Sequence, residues 1–190
     1  MSNESHKRGT KVARLIEKYD LSGRGAELEA AWIGDDGDRM SLRDLADPPE
    51  DVTVERATPD DRLDALRILD AAMLETDAPT VDDRIAAGDV IVARSTRTGG
   101  VVGALVAVRP DPDRLHVDAV AVRQVRRGEG IGSRLVAAAV DRAESDPAVE
   151  TVTARFDADL AEFYAALGFA VDGAGADEGR RVGRTRVDGG

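Results

Sequence analysis

The chain has 190 residues, no cysteine, two histidines and a formal net charge of -11. That excludes disulfides, a cysteine nucleophile and cysteine-ligated metal, and leaves too few histidines for a zinc site of the usual kind. A surface this acidic repels polyphosphates at long range, which disfavours nucleic acid as a partner.

No run of about 18 apolar residues is present, so no membrane span is expected. The start, MSNESHKRGTK, has no apolar core segment and does not read as a secretory signal. The expected location is cytoplasmic. Acidic, lysine-poor composition also fits a protein of salt-rich cytoplasm, and the charge itself then says little about function.

All three lysines (7, 11 and 18) and the only tryptophan, Trp32, fall before residue 48. Val12, Leu15, Ile16 and Tyr19 have the spacing of an amphipathic helix. A second short helix is expected over Ala26–Trp32. Ser41 and Asp44 mark the start of a third. The segment DPPED at 47–51 then stops helical structure. The division is therefore a helical appendage over 1–47, a linker over 48–51 and a main domain over 52–190.

In the main domain Val52–Arg56 reads as a strand. A helix over Asp60–Leu74 presents Leu63, Leu66 and Leu69, and another runs from Asp82 to Ala87. DVIVARS and VVGALVAVR form a hairpin across TRTGG. After the PDPD turn, RLHVDAVAV is the next strand. From Gly130 a helix runs to Glu144, with Ile131, Leu135, Val136, Ala139, Val140 and Ala143 on its apolar stripe. ETVTARF, the helix Leu160–Leu167 and the short strand FAV follow. GRRVGRTRV is a glycine-weakened last strand. The class is α/β, with a mixed, mostly antiparallel sheet flanked by helices.

The segment RRGEGIGSRL at 126–135 joins a strand to a helix through three glycines. The first N–H groups of a helix lack internal partners and carry partial positive charge. Glycines let an anion approach them, and Arg126 and Arg127 add charge. A P-loop needs a lysine that is absent here, and Ser133 takes the third glycine position of a dinucleotide fingerprint.

Arg127-x-x-Gly130-x-Gly132, between DAVAV and a helix, resembles the signature of the GCN5-related N-acetyltransferases (GNAT). VTVERATPDDRLDALRIL resembles that family's opening strand and helix, and FYAALGF at 163–169 its second block. The resemblance covers about residues 52–171. It implies a GNAT-like fold and transfer of an acetyl group from acetyl-CoA to a primary amine, with no metal. The implied pyrophosphate seat is the backbone of Arg127, Gly128, Glu129, Gly130, Ile131, Gly132 and Ser133. The implied pantetheine edge is Val120, Ala121 and Val122. Asp157 stands where the family often has a cofactor-binding asparagine.

Acetyl transfer needs a base to free the amine and a proton for the leaving thiolate. Strand alternation places His116, Asp118 and Val120 on one face, and Leu115, Val117 and Ala119 on the other. Asp118, His116 or a water relay is the expected base. Tyr164 aligns with the family's frequent general acid. Without cysteine, direct attack in a ternary complex is the expected mechanism. The acidic segment from about Asp70 to Asp83 suits an amine acceptor, whose identity stays open, and a homodimer is compatible with the sequence.

Residues 10–47 are similar to the start of the haloarchaeal rod-determining factor family, a resemblance that stops at the linker. It implies a link to cell shape and carries no catalytic residues. The alternative function is a non-catalytic acyl-CoA-sensing or interaction module with the helices as output.

Overall fold

The computed structural model describes residues 49–72, 78–172 and 179–187. The three expected appendage helices lie outside these residues.

Seven strands form one sheet: β1 (Val52–Arg56), β2 (Val90–Ser95), β3 (Val101–Asp111), β4 (Arg114–Val122), β5 (Thr151–Asp157), β6 (Ala170–Val171) and β7 (Arg180–Arg186). Their spatial order is β1-β2-β3-β4-β5-β7-β6. Every neighbouring pair is antiparallel except β4–β5, which is parallel. Four α-helices flank the sheet: α1 (Arg62–Ala71), α2 (Ala78–Ala87), α3 (Ile131–Glu144) and α4 (Ala161–Ala166). The expected element order and fold class hold throughout the main domain.

Two cores sandwich the sheet. α1 and α2 cover Val90, Val92, Val101, Ala104, Val106, Ala119 and Ala121 on one face. α3 and α4 cover Ile91, Ala93, Leu105, Leu115, Val117, Val152, Ala154 and Phe156 on the other. The expected stripe of α3 is buried at all six positions, Ile131, Leu135, Val136, Ala139, Val140 and Ala143.

α1 departs from expectation. Its buried face is Ala65, Ile68 and Leu69, while Leu63 is 58% exposed. The i, i+3, i+4 spacing of those three residues sets the helix phase, so the leucine at 63 falls outside the core stripe. Before α1, the N–H and Oγ of Thr58 both donate to Asp61 Oδ2 at 2.9 Å. Asp61 also pairs with Arg94 at 2.6 Å. Burial works against the Asp61 carboxylate, but these partners hold its pKa below the usual 3.8.

β7 forms despite its glycine. A Cβ at Gly183 would lie 2.9 Å from Phe156 Cε1, so the absent side chain is what lets the Phe156 ring pack against this strand.

Candidate active site at the parting of two parallel strands

β4 and β5 pair from Arg114↔Thr151 to Val117↔Ala154 and no further. β4 continues to Val122 and β5 to Asp157, so their C-terminal ends part. The cause lies in β4. Successive β3 residues Val106 and Ala107 pair with Ala119 and Val117, leaving Asp118 as an extra residue on β4. A bulge of this kind bends a strand and ends its pairing.

The bulge also overturns the expected alternation. Leu115 and Val117 pack toward α3, but Ala119 and Ala121 belong to the α1–α2 core. Val120 and Val122 pack toward α3, on the side of Leu115 and Val117. His116 and Val120 therefore do not share a face. One inserted residue inverts the period-2 pattern beyond it.

Above the bulge the backbone edge can be assigned. Arg123 N–H donates to Val102 O at 2.8 Å, so residue 123 addresses β3. Strand periodicity then turns Val120 and Val122 the other way, into the gap beside β5. Arg127 Nε donates to Val122 O at 3.2 Å from that side. The expected edge residues Val120 and Val122 are the ones whose backbone faces the gap, while Ala121 addresses β3.

The glycine turn closes the end of this gap. Gly128 and Gly130 have φ of 84° and 77°, values that favour glycine. Gly130 is the N-cap of α3, and no side chain caps the helix. Intrahelical bonding begins with Arg134 N–H to Gly130 O at 3.1 Å. The N–H groups of Ile131, Gly132 and Ser133 are thus left as donors at the positive end of a 14-residue helix. Gly132 has ordinary φ, and a Cβ there would meet only Val122 Cγ2, at 3.9 Å. The fold tolerates a side chain at 132; an anion resting on these amides would not.

The two arginines of the turn differ. Arg126 donates to both carboxylate oxygens of Asp51, at 3.1 and 2.8 Å, and to Glu129 at 2.6 Å. Its charge is spent inside the protein, contrary to expectation. Arg127 is exposed and supplies the cation beside the turn.

His116 is half-buried, with Nδ1 2.9 Å from Thr153 Oγ1. Burial lowers its pKa below 6.5. Asp118 opposes this, while Arg114 and Arg155 reinforce it. The imidazole is neutral near pH 7. Asp118 itself is exposed on the bulge. The Thr153 partner was missed in the sequence; its signal is the parallel register that sets it beside His116.

Tyr164 is buried. It stacks on Phe156 with ring centroids 4.0 Å apart and meets Phe163 and Phe169 edge-on at 5.1 and 5.4 Å. Burial pushes its pKa up to about 12. Asp157, at the exposed end of β5, lies 3.6 Å from Arg180. In the acidic segment 70–83, residues 73–77 are outside the described residues, and Asp82, within α2, is ion-paired with Arg62. Among the described residues no cluster of three or more His, Cys, Asp or Glu could hold a metal, and no helix is long and apolar enough to cross a membrane.

Residues 10–127, more than half of the chain, match the family profile of rod-determining factor A. The chain belongs to the rod-determining factor A family. The match does not stop at the linker, as expected, but runs through the first four strands to Arg127. Residues 86–171 match the acetyltransferase (GNAT) domain, so this family member carries a GNAT acetyltransferase domain built on the parted strands.

Solved structures share its fold. Ard1 from Thermoplasma volcanium has a TM-score of 0.60 at 20% identity, over 72% of this chain and 98% of that one. Arabidopsis thaliana Naa50, in complex with the bisubstrate analogue CoA-Ac-MVNAL, has 0.57 at 20%, over 71% and 98%. Salmonella typhimurium yncA, with its cofactor acetyl-CoA, has 0.55 at 18%, over 73% and 95%. At these identities the likeness is one of fold. None of the curated proteins compared matches the sequence.

Proposed function

We propose that this protein is an N-acetyltransferase that moves an acetyl group from acetyl-CoA to a primary amine by direct attack. One observation carries the reading: the uncapped amides of Ile131, Gly132 and Ser133 and the backbone edge of Val120 and Val122, which pairs with no strand on that side, face one gap. An extended pantetheine arm satisfies such an edge as a strand would, and a pyrophosphate satisfies such a helix end. The bisubstrate and acetyl-CoA complexes of the structural neighbours support the assignment.

In this reading Asp118, at the parting, holds the acceptor ammonium. His116 takes its proton through a bridging water; in the tautomer with Nδ1 protonated, which donates to Thr153 Oγ1, Nε2 is the acceptor. The amine nitrogen then bonds to the thioester carbonyl carbon, whose oxygen is polarised by the Val120 N–H. The C–S bond breaks, the remaining extra proton on nitrogen passes to the thiolate sulfur, and CoA leaves as the thiol.

Tyr164 can donate a hydrogen bond to the leaving sulfur. Full transfer from a phenol of pKa about 12 to an ordinary thiolate, of pKa about 8.5, is uphill by roughly 5 kcal/mol. A stabilising hydrogen bond is therefore the role assigned to it. Asp157 offers only acceptor oxygens, which suits an amide N–H of the pantetheine.

The test is incubation with acetyl-CoA and a panel of amines while free thiol is followed. Thiol release that depends on both substrates supports the reading. CoA binding without thiol release from any amine identifies an acyl-CoA-sensing module instead. No CoA binding overturns both.

A further inference from the structure

The sheet face opposite α3 and α4 is covered by α1 and α2 only over β2, β3 and the upper half of β4. Lower down, it forms a groove of about 750 Å³ across β4, β5 and β7. Arg114, His116, Thr153, Arg155, Arg184 and Arg186 line it. Register makes these residues a grid. Arg114, Thr151 and Arg186 form one rung; His116, Thr153 and Arg184 form the next; Arg155 stands above, opposite Val182. Four arginines thus share one concave surface of a protein with net charge -11.

Asp113 is the one carboxylate among the lining residues. Arg184 pairs with Asp172 and Arg114 with Asp111, through partly exposed contacts of the kind that exchange readily with an incoming carboxylate. Arg186 has no ion pair among the described residues.

We infer that this groove takes the acidic stretch of a peptide acceptor whose N-terminal amine lies at the parting of β4 and β5. The inference rests on the acetyltransferase reading above. His116 links the two places, since it lines the groove and its titration responds to Asp118 at the parting. From the last β4–β5 pair, Val117↔Ala154, to the Thr151 rung is three residues, about 10 Å along a strand. An extended peptide covers that length with its second to fourth residues. Guanidinium groups recognise carboxylates through two parallel hydrogen bonds, and threonine hydroxyls serve the peptide between them. Single-stranded nucleic acid is the less suitable anion, because no Phe, Tyr or Trp lines the groove for bases to stack on.

The experiment compares a peptide carrying Asp or Glu at positions 2–4 with its Asn/Gln counterpart. Thiol release gives kcat/KM for each, and fluorescence anisotropy gives Kd for their N-acetylated forms at several salt concentrations. The acidic peptide is expected to be favoured at least tenfold in both. Arg184→Glu/Arg186→Glu should abolish the preference, Arg186→Gln should reduce it without a change in folding, and the charge reversal Arg67→Glu on α1, outside the groove, should leave it intact. Equal use of the two peptides, a preference that survives the double substitution, or tighter binding of an oligothymidylate of equal charge overturns the inference. Such results leave the acetyltransferase reading standing, whereas absence of thiol release from every amine tested overturns that reading instead.

Discussion

At the scale of single residues, the proposed chemistry makes His116 the base, an imidazole whose pKa burial lowers. His116→Gln should lower kcat by about 10²–10⁴-fold, the usual contribution of a positioned base. Burial holds the His116 pKa below the ordinary 6.5, so the proposed base is largely neutral at pH 7. Activity of the native protein should be flat through neutrality and fall as pH drops through a value under 6.5. A profile whose acid limb lies above 7 would exclude His116 as the base. Tyr164→Phe should cost about tenfold in kcat, the worth of one hydrogen bond to the leaving sulfur. Unchanged turnover would leave Tyr164 as a packing residue against Phe156. Tyr164 and His116 were both visible in the sequence, one by motif and one by its place in a strand. The aromatic cage that raises the tyrosine pKa was not, because Phe156 arrives from β5 and only the folded chain stacks it on α4.

At the scale of elements, the glycine turn divides into positions the backbone needs and one it does not. Gly132→Ala should fold with native stability and raise KM for acetyl-CoA, as its methyl group would stand over the amides. A KM unchanged by that substitution would remove the pyrophosphate from the turn. Gly183→Ala acts on packing instead: its Cβ would press on the Phe156 ring and should destabilise the fold by about 1–3 kcal/mol, measurable by urea unfolding. The strand-turn-helix context of the turn was legible because glycine spacing and the α3 stripe are local. The neutralisation of Arg126 was not, because Asp51 lies 75 residues away in sequence. The phase of α1 was misread for a related reason: three leucines suggested a face, but the sheet selects Ala65, Ile68 and Leu69.

At the scale of the whole molecule, the sheet unites two sequence blocks. The rod-determining factor match ends at Arg127, and the GNAT match extends past it to residue 171. The parting of β4 and β5 lies wholly within the second match, since β5 lies beyond the first. Acid should unfold this domain partly through Asp61. Its folded pKa lies below 3.8, so its stabilisation is full above the unfolded value and is lost as pH falls through the folded one. Asp61→Asn should therefore lower stability at pH 7 and flatten its decline below pH 4, as followed by thermal unfolding. The overall topology was readable because strand and helix periods differ and each connection is short. The arginine groove was not, because its members come from three strands that meet only in register.

The bulge at Asp118 gives β4 two opposite parities along one strand. Below it, a polar substitution is tolerated at even positions and punished at odd ones. Above it, the odd positions face α1 and α2 and the even ones face α3. Deleting Asp118 alone would restore a single parity, leaving the alanines and valines on the faces they already take while pulling β5 back alongside. The acceptor gap is in this sense one amino acid wide in sequence, and a deletion too small to disturb the hydrophobic pattern of the chain would close it.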